Sequence, residues 1–166
     1  MKQEKRTAKD FSGRTTPASG AMCHSKGDVR TSKGRGIGFN DKDYLIENKY
    51  TDKDFFILQR STWEKIAREA LRDNFRKPMM QIDIMDLQLI VIAENTFKSI
   101  SEGWEFGMLQ AGSLSNQFRI LYNEAQKLET LGKIYVCRLE FLARIGLQNS
   151  LCLVIMLKKV YFEMLG

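Results

Sequence analysis

The order of patterned stretches in this 166-residue chain predicts an α/β protein, with a mixed β-sheet flanked by helices. Three observations carry that prediction. Two strand-like stretches, 27–32 and 44–50, come first, and a stretch of helical periodicity, 62–75, follows them. Two apolar runs of strand length, 79–84 and 87–93, complete the pattern. Strand, strand, helix, strand, strand describes a helical layer packed on a mixed sheet. The length suffices for one domain with a real core, or for a small domain plus an extension. Hydrophobic residues at 43% and charged residues at 28% are ordinary for a soluble globular chain.

Each element has its own signal. "KQEKRTAKDF" at the start predicts a short helix that is polar nearly all round. "SGRTTPASGAMCHSKGD", 12–28, is dense in Ser, Thr, Gly and Pro and predicts mostly loop. "GDVRTS", 27–32, is a strand. "KGRGIGFNDKD", with glycines at 34, 36 and 38, predicts a hairpin-like connection into the strand 44–50. That glycine run lies between two strands, not between a strand and a helix, which argues against a phosphate cradle.

"STWE", 61–64, reads as a capping box, Ser61 accepting from the Glu64 amide while Glu64 reaches back. Beyond it Trp63, Ile66, Ala67, Ala70, Leu71 and Phe75 recur at helical spacing, so Trp63 and Phe75 are expected in the core. Lys77-Pro78 is expected to end this helix. "MMQIDI", 79–84, and "LQLIVIA", 87–93, then predict two strands joined by a tight turn at Met85-Asp86.

The texture changes after about residue 102, which divides the chain into a domain, 1–102, and an extension, 103–166. In "SLSNQFRILYNEAQKLETLG", 113–132, Leu114, Phe118, Leu121, Tyr122, Ala125 and Leu128 form one helical stripe, with Gly132 as a stop. Residues 133–166 are rich in Leu, Ile, Val and Met, and periodicity does not separate helix from strand there. The extension is therefore expected to be mainly helical or mixed. So much apolar surface must fold onto the first domain or onto another copy of the chain, which makes the extension a candidate dimerisation element.

Net charge is +6, and it is uneven. Residues 1–36 hold nine of the 26 Lys and Arg against three of the 20 Asp and Glu, so this quarter carries the whole excess. A basic segment suits a polyanionic partner, although charge runs are more often solvated surface. Cys23, Cys137 and Cys152 are odd in number with no CxxC spacing, which argues against a disulfide framework or a zinc site. The start of the chain has no apolar stretch behind its basic residues, unlike a signal peptide. The longest apolar run, "LCLVIML" at 151–157, is far short of the ~20 residues that span a bilayer. A reduced, cytoplasmic protein without membrane contact is expected.

The chemistry gathers in "YLIENKYTDKD", 44–54. On a strand Glu47 and Lys49 share a face, about 6–7 Å apart along the chain, while Tyr44, Ile46 and Tyr50 point the other way. Asp28 opens the predicted hairpin neighbour, and Glu4 comes from the leading helix. Carboxylates converging on adjacent strands make a hard, oxygen-rich site suited to magnesium. A metal held there lowers the pKa of a bound water and neutralises charge building on a phosphate. A neighbouring lysine can orient the attacking water or pair with the phosphoryl oxygens. Phosphodiester hydrolysis needs that combination. The plain alternative is a Glu-x-Lys surface pair worth well under ~1 kcal/mol.

"KGDV", 26–29, followed by "IENKYT", 46–51, resembles the motif of the PD-(D/E)XK nuclease superfamily. Glu47-Asn48-Lys49 fits the second element, and Gly27-Asp28 stands where Pro-Asp is usual. "PASGA", 17–21, is similar to the serine loop of archaeal and phage Holliday junction resolvases. The Thr after the lysine motif, the capped helix and "KPMMQIDI" follow in the order those proteins show. The resemblance covers roughly residues 1–100 and implies a restriction-endonuclease-like fold. It implies that Asp28 and Glu47, helped by the main-chain carbonyl of Asn48, bind magnesium, with manganese able to substitute. Lys49 would position the water, Glu4 would complete the metal site or bind a second ion, and Ser19 would contact the scissile phosphate. Gln59 would also line the site.

Arg14, Lys26, Arg30, Lys33 and Arg35 surround the expected cleft and would neutralise DNA phosphates. His24 sits in the serine loop, where an exposed histidine without a role is the more ordinary case. The expected function is a structure-selective endonuclease acting on branched DNA as a homodimer, and a phage or mobile-element origin is implied only by the likeness. The alternatives are another nuclease of the superfamily (repair, restriction-like or nickase) and a module that binds nucleic acid without cutting. The short leading helix leaves the place of Glu4 open.

Overall fold

The computed structural model describes residues 2–11, 13–15, 29–31, 44–73, 75–130, 133–142 and 149–166. In chain order these form α1 (Lys2–Asp10), β1 (Gly13–Thr15), β2 (Val29–Thr31), β3 (Tyr44–Thr51), β4 (Phe55–Gln59) and α2 (Arg60–Arg72). Next come β5 (Lys77–Ile84), β6 (Leu87–Ala93), α3 (Glu94–Ile100), β7 (Gly107–Ser113), β8 (Gln117–Leu121) and α4 (Tyr122–Gln126). The last are β9 (Glu129–Thr130), β10 (Lys133–Phe141), β11 (Leu151–Leu157) and α5 (Lys158–Leu165). The chain is mixed α/β. Its main sheet runs β1-β2-β3-β5-β6-β11-β10-β7, with β9 beside β10, and β4 and β8 pair separately. Pairings β3/β5 and β10/β7 are parallel and the others are antiparallel.

The predicted strands appear where the apolar runs put them. Val29–Thr31 lies inside 27–32, and β5 and β6 meet at the two-residue turn Met85-Asp86, where Met85 takes φ 55°. The apolar run 151–157 folds onto the first hundred residues as β11, which pairs with β6. The segment beyond 102 is mixed and mostly strand.

Successive residues of a strand face opposite ways, yet Tyr44, Leu45 and Ile46 are all buried, as are Met79–Ile84 and Leu153–Leu157. The middle of the sheet is therefore covered on both faces, which is why its strands read as unbroken apolar runs. Helices α1 and α5 cover one face together. The Phe11 ring lies 5.8 Å from Tyr161 and 4.9 Å from Phe162, and Lys158 Nζ donates to Asp10 Oδ2 at 2.6 Å. The Tyr161 phenol meets that of Tyr44, and burial pushes both above their ordinary pKa. So α1 is not polar all round: Thr7, Ala8 and Phe11 form its buried stripe.

Four local expectations are corrected. Strand β4 runs to Gln59, so α2 starts at Arg60 and Ser61 falls inside the first turn. The N-cap, Gln59, makes no side-chain capping bond, and Glu64 accepts from Arg60 Nε at 2.7 Å, so there is no capping box. Trp63, Ile66 and Ala70 do form the buried stripe, but the helix stops at Arg72, well before Pro78, which lies in β5. Leu71 and Phe75 consequently point outward, 58% and 82% exposed. Tyr50 shares the alternation of Tyr44 and Ile46 but lies beyond the first turn of α1 and is 63% exposed.

The fourth concerns residues 113–132, predicted as one helix. Ser113 Oγ lies 2.8 Å from the Ser115 carbonyl and 2.6 Å from that of Gln117, folding a turn that competes with helix. Residues 117–121 then pair with β4, which buries Ile120 and leaves Leu114 79% exposed. Among the described residues of this segment only Tyr122–Gln126 is helical.

Candidate functional site

Strand β3 sits between β2, antiparallel, and β5, parallel. Its middle residues lose the full cover of its start: Glu47, Asn48 and Lys49 are partly buried. Alternation sends Glu47 and Lys49 to one face, and Lys49 Nζ donates to Glu47 Oε1 at 2.7 Å. Their side chains are 20% and 35% exposed, so the pair is open to solvent and to a ligand.

Asn48 faces the opposite way, under α1. Thr7 Oγ1 lies 2.8 Å from Asn48 Oδ1 and 3.2 Å from Gln81 Oε1, and its single proton is shared between these acceptors. Gln81, fully buried beside Asn48 on β5, donates to Asp83 Oδ1 at 3.0 Å. Asp83 Oδ2 lies 3.5 Å from Gln88 Nε2 across the β5-β6 pairing. Gln3 Nε2 donates to the Lys49 carbonyl at 3.2 Å. This line of amides fixes the height of β3 from behind. A buried polar group costs about 1–3 kcal/mol when left unpaired, so the line tolerates few alternative positions of the strand.

The predicted site residues divide as follows. Glu47 and Lys49 are brought together. Glu4 heads the stripe that continues as Thr7, Ala8 and Phe11, on the helix that packs over Asn48. Gln59 is exposed at the junction of β4 and α2. Asp28, Ser19, Lys26, Lys33 and Arg35 lie outside the described residues, as do Cys23, His24 and the 34–38 glycine run. Arg14 and Arg30 are described only through the backbone of β1 and β2, where they stand opposite each other. Among the described residues no group of three or more His, Cys, Asp or Glu converges as a metal site. Gln3, Thr7, Gln81 and Asp83 escaped the sequence reading. Gln81 and Asp83 had one signal, a Gln and an Asp inside the otherwise apolar run "MMQIDI", and Gln3 and Thr7 had none.

A second ionic group lies at the other end of the sheet. Arg138 Nε donates to Glu94 Oε1 at 2.6 Å, Nη1 to Glu140 Oε2 at 3.3 Å, and Nη2 lies 3.0 Å from Cys152 Sγ. The hydrogen bond from Arg138 holds the Glu94 carboxyl below the usual carboxylate range, and burial pushes the Cys152 thiol up. Arg138 thus has carboxylate partners, and the cluster reads as structural.

No protein-family model matches the chain, and no curated protein matches it. Among the described residues no helix is long and apolar enough to cross a membrane.

Proposed function

We propose that this chain is a metal-dependent, structure-selective DNA endonuclease of the PD-(D/E)XK type, resembling Holliday junction resolvases. The observation that carries the reading is the Glu47–Lys49 pair, 2.7 Å apart on the open part of β3. A second relationship supports it. Val29, the chain neighbour of Asp28, stands opposite Ile46, the chain neighbour of Glu47, in the β2-β3 ladder. The order helix, hairpin strands, Glu-x-Lys strand, helix and parallel strand also supports a restriction-endonuclease-like core.

The donor chemistry fits magnesium. Glu47 offers a solvent-reaching carboxylate, and magnesium keeps several waters, so it needs only one or two protein carboxylates. Asp28 and Glu47, with the Asn48 carbonyl, would hold the ion, which supplies charge neutralisation at the phosphate and an acidified water. Lys49 then turns from Glu47 to the attacking water or to a phosphoryl oxygen, where a fixed positive charge lowers the barrier. Thr7, Gln81 and Gln3 keep β3 at the height this exchange requires.

The test uses Asp28→Ala and Glu47→Ala. Each variant is expected to bind branched DNA while losing magnesium-dependent cleavage, and full cutting by either removes the basis of the reading. Cleavage of junction, flap, single-stranded and linear duplex substrates compared side by side identifies the preferred shape. A wild-type chain that binds all four and nicks none is a DNA-binding module.

A further inference from the structure

The outer face of α2 plays no part in the site above. Lys65, Arg68 and Arg72 lie on it, at spacings of three and four residues, and all three are exposed. Of the nearby acids, Glu64 pairs with Arg60, and Asp73, just past the helix end, pairs with Arg76. The partly buried Glu69 lies between Lys65 and Arg72 and leaves the stripe net basic. Among the described residues no ion pair involves Lys65, Arg68 or Arg72.

At the end of this stripe stands Phe75. The Phe75 amide donates to the Leu71 carbonyl at 3.2 Å and the Arg76 amide to the Ala70 carbonyl at 2.8 Å. The second reaches one residue farther back than a Schellman bond, and the first is the 5→1 bond of an αL closure, whose left-handed residue is ordinarily glycine. Here that residue is Phe75, at φ 57°, with 82% of its surface in solvent. A phenylalanine at this position carries backbone strain of order 1 kcal/mol or more, and its ring contributes little to the core. Leu71, 58% exposed, lies beside it. An uncompensated outlier of this kind points to a ligand.

We infer that the outer face of α2 is a DNA-contacting surface, with Lys65, Arg68 and Arg72 following a phosphate backbone and Phe75 stacking on an unpaired base at a branch. Lys65 to Arg72 spans seven residues, about 10 Å of helix axis, or about three phosphates of one strand. Phe75 precedes Lys77 by two residues, and Lys77 stands opposite Tyr44, three residues or about 10 Å along β3 from Glu47. One branched duplex can reach both places. A base face and an aromatic ring stack without regard to sequence, which suits recognition of shape.

The inference rests on DNA as the partner but not on cleavage, so binding is measured in EDTA. Phe75→Gly relieves the backbone strain and is expected to fold at least as stably as wild type. It should weaken binding to junction or flap DNA by roughly 5- to 100-fold, with linear duplex affinity little changed. Phe75→Tyr should restore the branched preference. Lys65→Gln/Arg68→Gln/Arg72→Gln should weaken all DNA and flatten the slope of log K against log salt by about 2–3.

Unchanged branched-DNA affinity in Phe75→Gly, an unchanged salt slope in the triple variant, or a wild-type chain that binds no DNA each overturns the inference. So does a change of oligomeric state in Phe75→Gly with DNA affinity intact, which would make the patch a protein contact. Wild-type protein that shows this α2-dependent binding but never cuts with magnesium refutes the nuclease reading and leaves this one standing.

Discussion

Lys158, on α5, places its ammonium 2.6 Å from the Asp10 carboxylate on α1, joining residues 148 positions apart. The Lys158 side chain is 7% exposed and that of Asp10 is 34% exposed, so the lysine is the partner deprived of water. Breaking such a pair from one side leaves a buried charge without compensation, whereas replacing the charge by an apolar chain of similar length does not. Asp10→Asn should therefore cost about 2–3 kcal/mol, read as a lower urea midpoint, while Lys158→Met should stay within about 1 kcal/mol of wild type. Equal losses in both would show that the attraction, not the desolvated lysine, dominates.

Lys49→Ala separates stability from chemistry. The Glu47–Lys49 pair is partly solvated, so its loss should change unfolding free energy by less than about 1 kcal/mol. Under the proposed mechanism, magnesium-dependent cleavage should fall by about 100-fold or more. Cleavage within threefold of wild type would leave Lys49 as a surface residue.

The amide line behind β3 should behave as one unit. Thr7→Val leaves the Asn48 and Gln81 oxygens short of a donor, at a cost of about 1–3 kcal/mol. Gln81→Leu should cost a similar amount, and the double variant less than their sum, since both deletions interrupt the same line. Strict additivity in chemical denaturation would mean that the line is a set of independent contacts.

Glu94 gives a pH signature. Its folded pKa is held below the ordinary 4.5 by Arg138. A depressed carboxyl contributes stability that is complete above the unfolded value and disappears as pH falls through the folded one. Glu94→Gln should accordingly lower Tm at pH 6–7, by a margin that shrinks as the pH falls below the ordinary carboxylate value. A difference in Tm that persists undiminished at pH 3 would assign the loss to packing.

The sheet's centre was legible because strands covered on both faces leave unbroken apolar runs, as at 79–84 and 87–93, whereas the equally apolar run 151–157 fits helix and strand alike until its pairing with β6 is known. Glu47 and Lys49 were legible because period-two alternation needs only one strand. What failed was decided by partners distant in sequence. The 113–132 stripe fits a helix, but Phe55–Gln59 offered a strand partner that no local pattern reveals. The capping box failed because that same β4 carries extended backbone up to Gln59. Phe75 fits the stripe of α2, yet the helix ends one turn early. Thr7 gave no signal, because its partners Asn48 and Gln81 lie 41 and 74 residues away.

The place of β11 between β6 and β10 has a consequence for biosynthesis. A nascent chain that has cleared the ribosome only as far as residue 142 holds Leu87–Ala93 as a bare apolar margin, and β10 has nothing joining it to that half of the sheet. Closure waits on Leu151–Leu157, so stalled or clipped products that lack this strand should be chaperone clients prone to insolubility.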